Sequence, residues 1–535
     1  MARKIVVRKN RYLDSVFLML AARRIAAQPG IRDASALMAT EANRNILVGL
    51  GYGEGGRDPD LAAAGPNDLV LALEGDAAAV EAIAASADSW LSRDSGASPQ
   101  SGAHTPGPRS IAGAIAARPD ATVAVISVPG AYAAREARAA LQQGLHVFLF
   151  SSNVSVEEER SLKLEARRRG LIVMGPDCGT AYLAGAGVGF ANAVRRGPIG
   201  IVGSTGTGMQ EFSSLVHRAG SGISHGIGTG SRDLRDEIGG VSTMTGIDAL
   251  EADPATRAIA VVAKPPGKGM TATLAERLRR CAKPVVLCLL GAAPTSAGSD
   301  VDLGQVQLAS TIDEAVARAL GAVSVQEPPF LRCDPASMRE TALPHLARMR
   351  AEQRHVRGLF AGGTLCYQSQ AIFLRTGLVV HSNAPLHGMR ELPDPNVSRE
   401  DTFVDMGAEV FVQGRPHPMI DAAQRKRRPE QEGQDPTVAL VLLDFILGAI
   451  SSRDPVGDML DAIGSAQAAA RRRGGHLCVV ASVCGTDGDA QGLEAQTRAL
   501  VDGGVLVFPT NAQSAIFCRE AVARLARREE ASGCP

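Results

Sequence analysis

The sequence predicts an α/β protein assembled from several parallel-sheet domains, with a small α+β domain at its N-terminus. Three observations carry this. From about residue 111 onward, short apolar runs alternate with amphipathic helical stretches, the pattern of strands buried on both faces of a parallel sheet. Several of those runs end in glycine turns that lead into helices, where open α/β sheets place their ligands. The chain has 535 residues, too many for one core and enough for three or four domains.

The elements follow in order. Residues 1–95 read as the α+β unit: "KIVVRK" as a strand, Ser15–Ala27 as an amphipathic helix, "ASALMA" and "NDLVLALEG" as strands, and Ala77–Leu91 as a helix. Residues 96–110, rich in Ser, Gly and Pro, read as a linker or exposed loop. Residues 111–197 read as a Rossmann-like domain with strands "ATVAVISVPG", "LHVFLF" and "GLIVMGPDCG". A second α/β run, 198–325, has strands "IGIVG", "GISHGIGTG", "RAIAVVAK" and "KPVVLCLLG". Residues 326–354 form a Pro-marked connection. A third run, 355–525, contains "VRGLFAGG", "TFVDMG", "VALVLLDFIL", "HLCVVASVCG" and "GVLVFPTN". Within it, "QRKRRPEQEGQD" reads as a solvated charged loop, because acids stand beside the bases.

Composition narrows the function. Lys+Arg and Asp+Glu number 56 each, so no net field draws the chain to nucleic acid or to an acidic membrane. Aromatic content of 4% argues against base-stacking platforms. Nine cysteines are scattered without CxxC or zinc-finger spacing, which fits free thiols in a reducing compartment and gives no metal site. "MARKIVVRKNRYLDS" lacks a signal-peptide core, and no apolar run is long enough to span a membrane. The expectation is a cytoplasmic protein acting on small molecules.

The strongest local signal is "PIGIVGSTGTGMQEF". An apolar run leads into Ser204, Thr205, Gly206, Thr207 and Gly208, and then into a helical pattern. The first N–H groups of a helix are unpaired and favour an anion, and the hydroxyls add donors. It is not a Walker A loop, since no Gly-Lys-Ser/Thr follows; a tight structural turn is the competing reading. "MGPDCGT" places Asp177 and Cys178 after a strand, Asp177 as a ligand-binding group or a cap, Cys178 as a nucleophile without a nearby histidine. Lys264, at the tip of "VVAKPPGKG", can neutralise an anion or simply be solvated. In "VQGRPHPMIDAA", Arg415 suits a carboxylate or phosphate, and His417 suits proton transfer or a backbone hydrogen bond. Asp444 and Gly448 in "LLDFILGAISSRDP", and Thr486 and Asp487 in "SVCGTDGD", sit at strand ends. Their carboxylates can bind Mg²⁺ or substrate, or cap helices.

Taken together, "VMGPDCGT", "GFANAVRRGPIGIVGSTGTGMQE", "GISHGIGTGSRDL", "IGGVSTMTGIDAL", "GGTL", "GRPHPMID" and "LLDFILGAISSRDP" resemble the FdrA family over about residues 1–525. That family is related to succinyl-CoA synthetase. The resemblance implies an α-chain-type CoA-binding domain and ligase domain over 111–325, and a β-chain-type ligase domain over 355–525. It implies two helix N-termini aimed at one phosphate, starting at Ser204–Gly208 and near Gly448–Ser451. Two departures stand out. The synthetase's phosphorylated histidine has no counterpart in "LLGAAPTSAGSD", and the glutamate beside it falls on Lys264. No unassigned block is long enough for a nucleotide-binding ATP-grasp domain.

FdrA proteins are implicated in anaerobic allantoin use as a subunit of oxamate carbamoyltransferase. The resemblance thus implies phosphorolysis of oxalurate to oxamate and carbamoyl phosphate, with companion subunits. Ser204–Gly208 and Gly448 would hold phosphate and Lys264 would screen it. Asp177, Cys178 and Asp444 would line the substrate site, Arg415 would hold the oxalurate carboxylate, and His417 would donate the proton. No cofactor is implied beyond phosphate as a substrate, with CoA and Mg²⁺ as open options. A CoA-dependent acyl transferase, with Ser127–Gly130 as the turn that meets CoA, and a non-catalytic assembly subunit are the alternatives.

Overall fold

A computed structural model of the chain describes residues 2–13, 15–49, 51–52, 58–92, 108–291, 304–412 and 416–532. They fall into two compact units, residues 1–107 with 408–417, and residues 108–407 with 418–535.

In the first unit, strands Ala2–Arg8, Leu69–Gly75 and Ile31–Met38 lie side by side in that order, all antiparallel to the central one. Leu69–Gly75 reads LVLALEG and is buried along nearly its whole length. One of its faces packs Leu71 and Leu73 with Leu18, Ile25, Val80 and Ile83; the other packs Val70 with Leu37, Leu47 and Tyr52. The helix expected over Ala77–Leu91 is divided into Ala77–Ala85 and Ala87–Trp90. The division falls at Ser86, whose hydroxyl donates to the Ala82 carbonyl at 2.8 Å, a local bond that competes with helix continuation. A helix over Glu41–Gly49 adds to the predicted elements.

The second unit contains three sheets. The Rossmann-like part has three parallel strands, Val123–Ile126, His146–Leu149 and Val173–Met174. Most of the expected connection before it lies outside the described residues; Ser110 then caps the helix Ile111–Ala117 by accepting from Gly113 N. The next sheet has seven strands in the order Gln307–Ala309, Val285–Leu289, Ala258–Ala263, Arg196–Gly203, Ile223–Gly228, Thr180–Leu183 and Ala186–Gly189. The first five run parallel and the last two form an antiparallel hairpin. The third sheet is wholly parallel: Arg390–Glu391, His381–Ser382, Thr402–Asp405, His355–Phe360, Val438–Ile446, Cys478–Cys484 and Leu506–Phe508.

One apolar core joins the two seven-stranded sheets. It runs from Ile201 and Val262 through Phe212, Leu365 and Phe517 to Leu442 and Val480. Helices Gly206–Arg218, Gly363–Leu374 and Asn511–Ser532 carry its middle layer. The strands that feed this core, such as VALVLLDFI at 438–446, are buried at every position, which is why they read as apolar runs, broken in this one only by Asp444.

Two expectations are corrected. Residues 424–435 do not form a solvated loop; Ala423–Glu432 is a helix with Arg425, Arg428 and Glu432 buried. The charges are tolerated because each is paired. Arg425 binds Asp444 at 2.7 Å, Arg428 binds Glu432 at 3.1 Å, and Arg357 binds Glu432 at 2.9 Å. The connection 326–354 contains a helix, Pro335–Leu346, started by Asp334 accepting from Ala336 N and Ser337 N.

Candidate functional site

The site is built at the C-terminal edge of the central strand Arg196–Gly203. Gly203 is in register with Val262 on one side and Gly228 on the other. Ser204 N donates to Val262 O at 3.2 Å, which turns the chain upward into the helix Gly206–Arg218. Thr205 stands at the N-cap without a side-chain cap bond, so the first amides of this helix are left for another acceptor. Thr205, Gly206 and Thr207 are half-buried, and Ser204 and Gly208 are buried.

A second helix N-terminus meets the first. Strand His355–Phe360 ends in Ala361–Gly362, and the helix Gly363–Leu374 starts there, also without a side-chain cap. The Thr205 and Thr364 hydroxyls are hydrogen-bonded, and Thr364 N points at the Thr207 hydroxyl at 3.4 Å. Glycine is required at this meeting. A Cβ on Gly208 would lie 2.8 Å from the Thr205 methyl and 3.0 Å from that of Thr364, so side chains would force the two tips apart.

The second helix is therefore Gly363–Leu374 and not one starting near Gly448. Gly448 lies in a turn, at φ +136°, and its Cβ would sit 2.3 Å from the Phe190 carbonyl oxygen. Its own carbonyl accepts from Gln491 Nε2 at 2.9 Å. The following helix begins only at Gly457. Gly448 is a close-packing position, and its backbone is already committed. The position near Gly448 followed from the resemblance; the strand–glycine–helix pattern stands at "LFAGGTL".

Asp444 holds the second tip from below. It is fully buried, and its two carboxylate oxygens accept from Ala361 N and Gly362 N, both at 2.7 Å. Arg425 donates to Asp444 Oδ1 at 2.7 Å and to the Leu359 carbonyl at 2.9 Å. Burial pushes the Asp444 carboxyl up, while Arg425 and the two amides pull it down. Its contacts make it a positioning group, and no face of it is open to a substrate. Neither Arg425 nor this clamp was legible in the sequence, because its parts come from two separate strands, the turn after one of them, and a helix.

Two further groups face the helix tips. Lys264 follows strand Ala258–Ala263, next to the central strand, and its ammonium lies 4.8 Å from the ring centre of Tyr367 in the second turn of the second helix. Among the described residues it has no carboxylate ion-pair partner. Thr180 is 1% exposed, and its hydroxyl has no hydrogen-bond partner among the described residues. That oxygen lies 3.4 Å from where a Cβ on Gly206 would be. An orphaned buried hydroxyl costs free energy unless something hydrogen-bonds to it. This hydroxyl lies beside the start of helix Gly206–Arg218, whose first amides favour an anion. Asp405 adds one opposing charge, since a Cβ on Gly363 would lie 2.5 Å from its Oδ2, while its Oδ1 accepts from Gly407 N.

Four other sequence candidates of the second unit, Asp177, Cys178, Thr486 and Asp487, are held in contacts of their own. Cys178 is buried with its thiol near the Gly228 carbonyl at 3.4 Å, and burial pushes that thiol up to about 12; it is a core thiol and no nucleophile. Asp177 is exposed, at φ +57°, with its N–H donating to Ser151 O, and it precedes the strand Thr180–Leu183, so there is no helix for it to cap. Arg415 lies outside the described residues, and His417 groups with the first unit. The turn Ser127–Gly130 also offers little to an anion. A Cβ on Gly130 would meet the carbonyl oxygens of Ser152 and Asn153 at 2.3 and 2.5 Å, so acceptors line that helix start. Thr486 donates to Ala193 O, and Asp487 pairs with His217 at 2.6 Å; both tie the halves of the second unit together.

Fold and site define an α/β protein of the CoA-ligase type in which two helix tips from two seven-stranded sheets share one polar spot. Comparison with known proteins agrees. Residues 359–519 match the CoA-ligase family, and residues 1–106 match the "AllF, heavy metal-associated domain" family. The chain is 40% identical to the uncharacterized protein YahF of Escherichia coli K12 over 98% of its own length and 99% of YahF. It belongs to the same family as YahF, one of succinyl-CoA synthetase-like proteins. Among solved structures, it is similar to the apo form of Ca. Korarchaeum cryptofilum dinucleotide-forming acetyl-coenzyme A synthetase 1, at 18% identity and TM-score 0.28, covering 77% of this chain and 86% of that one. It is also similar to ATP citrate lyase from Methanothrix soehngenii in complex with citrate and coenzyme A, at 23% identity and TM-score 0.32, covering 40% of this chain and 37% of that one.

Proposed function

We propose that the second unit binds inorganic phosphate at the joined tips of helices Gly206–Arg218 and Gly363–Leu374, and presents it to a carbamoyl donor. The observation that carries this is the meeting of two helix starts without side-chain caps, near the Thr180 hydroxyl and the Lys264 ammonium, which among the described residues have no hydrogen-bond partner and no carboxylate partner, respectively. Two helix dipoles, the uncapped amides of the first helix and one cation offset a phosphate's charge without a nucleotide or a protein phosphohistidine. The match of residues 1–106 to the AllF domain supports an association with allantoin use, and with it the choice of oxalurate as the donor.

In that reaction a phosphate oxygen attacks the carbamoyl carbonyl carbon of oxalurate. The bond from that carbon to the oxamate nitrogen breaks, the nitrogen takes up a proton, and carbamoyl phosphate and oxamate leave. Amides at the helix tips would stabilise the oxyanion formed on attack. Companion subunits would complete the donor site. The assay is carbamoyl phosphate formation from oxalurate and phosphate without nucleotide, with the chain alone and with its companions. Turnover that depends on phosphate and falls in Lys264→Met supports the reading. A folded chain that binds no phosphate refutes it, and acyl transfer to CoA in the same assay would replace it.

A further inference from the structure

The family matched by residues 1–106 is named for a heavy metal, and the residues of this chain do not fit one. We infer that its N-terminal domain folds and works without a metal, its first turn being closed by the carboxylates of Asp68 and Asp88. Zinc and copper(I) select thiolate and imidazole ligands. Residues 1–106 contain no cysteine and one histidine, His104. Of the thioethers, Met38 is buried in the core beside Leu71 and Ile83. Among the described residues, no group of three or more His, Cys, Asp and Glu side chains is placed to hold a metal.

The turn that follows strand Ala2–Arg8 is closed by other means. Asn10, at φ +51°, donates its N–H to Asp68 Oδ1 at 2.8 Å, and Gly65 N donates to Asp68 Oδ2 at 2.8 Å. One carboxylate thus bridges two turns. Arg8 grips Asp88 through Nε and Nη2 at 2.9 and 3.1 Å, and Arg11 Nη1 adds a third contact at 2.6 Å. Both carboxylates are engaged by hydrogen-bond donors, and a cation entering here would have to displace amides or a guanidinium fork and then sit beside Arg8 and Arg11. The domain's job is accordingly one that chelation and thiol oxidation do not touch.

The test is hydrogen exchange read peptide by peptide on the full chain, with Zn²⁺ or Cu⁺ in excess, without metal, and with a chelator. Local reading matters because half-buried thiols elsewhere, Cys281 and Cys333, can take up metal on their own. The expected result is identical protection over residues 2–92 in all conditions. In metal-free protein, Asp68→Asn should raise exchange around Asn10 and Gly65 about tenfold. Asp88→Asn, whose side chain is 63% exposed and leaves the core intact, should loosen the same turn to a smaller degree. Metal-dependent protection anywhere in residues 2–92 overturns the inference. So does an Asp68→Asn protein whose turn exchanges as slowly as the parent's.

Discussion

Replacing Asp444 by Asn changes one atom's chemistry and tests how the second helix tip is held. The carboxylate accepts from Ala361 N, Gly362 N and Arg425 at once. An amide keeps the shape but turns one acceptor into a donor, which then faces a backbone N–H or the guanidinium. Breaking a buried ion pair by removing one charge costs about 3–5 kcal/mol, because the remaining charge is left uncompensated. Here Arg425 is 3% exposed and keeps only its bonds to the Leu359 and Asp444 carbonyls. The loss of one amide bond to Asp444 adds about 1–3 kcal/mol. We expect Asp444→Asn to lower the apparent melting temperature by several degrees and to weaken phosphate binding, measured by calorimetry, at least tenfold, since Gly362 and Gly363 are no longer aimed. A variant that melts with the parent and binds phosphate as tightly would refute the claim that Asp444 positions this tip.

Other expectations follow from the same contacts. Lys264→Met should weaken phosphate binding by about tenfold or more and flatten its salt dependence, as one direct charge is removed; unchanged titrations at low and high salt would exclude Lys264 from the site. Thr180→Val should lower phosphate affinity several-fold yet leave the melting temperature unchanged or raised, because the hydroxyl it deletes has no partner in the free protein. Gly448→Ala should destabilise the second unit by at least about 2 kcal/mol, from φ strain and the collision with Phe190 O, while any protein that folds binds phosphate normally. Asp313 is buried, and burial raises its carboxyl from 3.8 to about 7. An acid raised in the folded state gives stability that is full below about pH 4 and is lost as pH rises to about 7. Asp313→Asn, which does not titrate, should therefore gain on the parent by about 3 kcal/mol between pH 5 and pH 8. A pH-independent difference in unfolding midpoints would show that Asp313 is ionised in the fold.

Much of the architecture was legible because buried parallel strands advertise themselves. "IGIVG" and "AIAVVA" carry no polar break until the turn that ends them, and "VALVLLDFI" carries one, Asp444. The first helix tip was legible for the same reason, a strand running into glycine and hydroxyl residues. The second was expected near Gly448 from the resemblance. Locally "FILGAISS" and "LFAGGTL" look alike, and only tertiary packing separates them: Gly448 is pressed against Phe190, while Gly362 is held by Asp444. The charged stretch 424–435 misled for a related reason. Arg425 finds its partner 19 residues away at Asp444, and Glu432 finds Arg357 75 residues away, so nothing local marks these charges as inward-facing. Thr180 escaped notice because an unpaired hydroxyl is defined by its surroundings.

The two helix tips belong to different sheets but to one polypeptide. When such a socket is split between separate chains, its completeness depends on their concentrations, and dilution empties it. Here residues 219–362 tether one tip to the other, so each half always sees its mate at a high effective concentration. Gene dosage cannot leave one half in excess, and the socket survives at protein levels where a two-chain version would fall apart. Any ligand meets the two tips already joined.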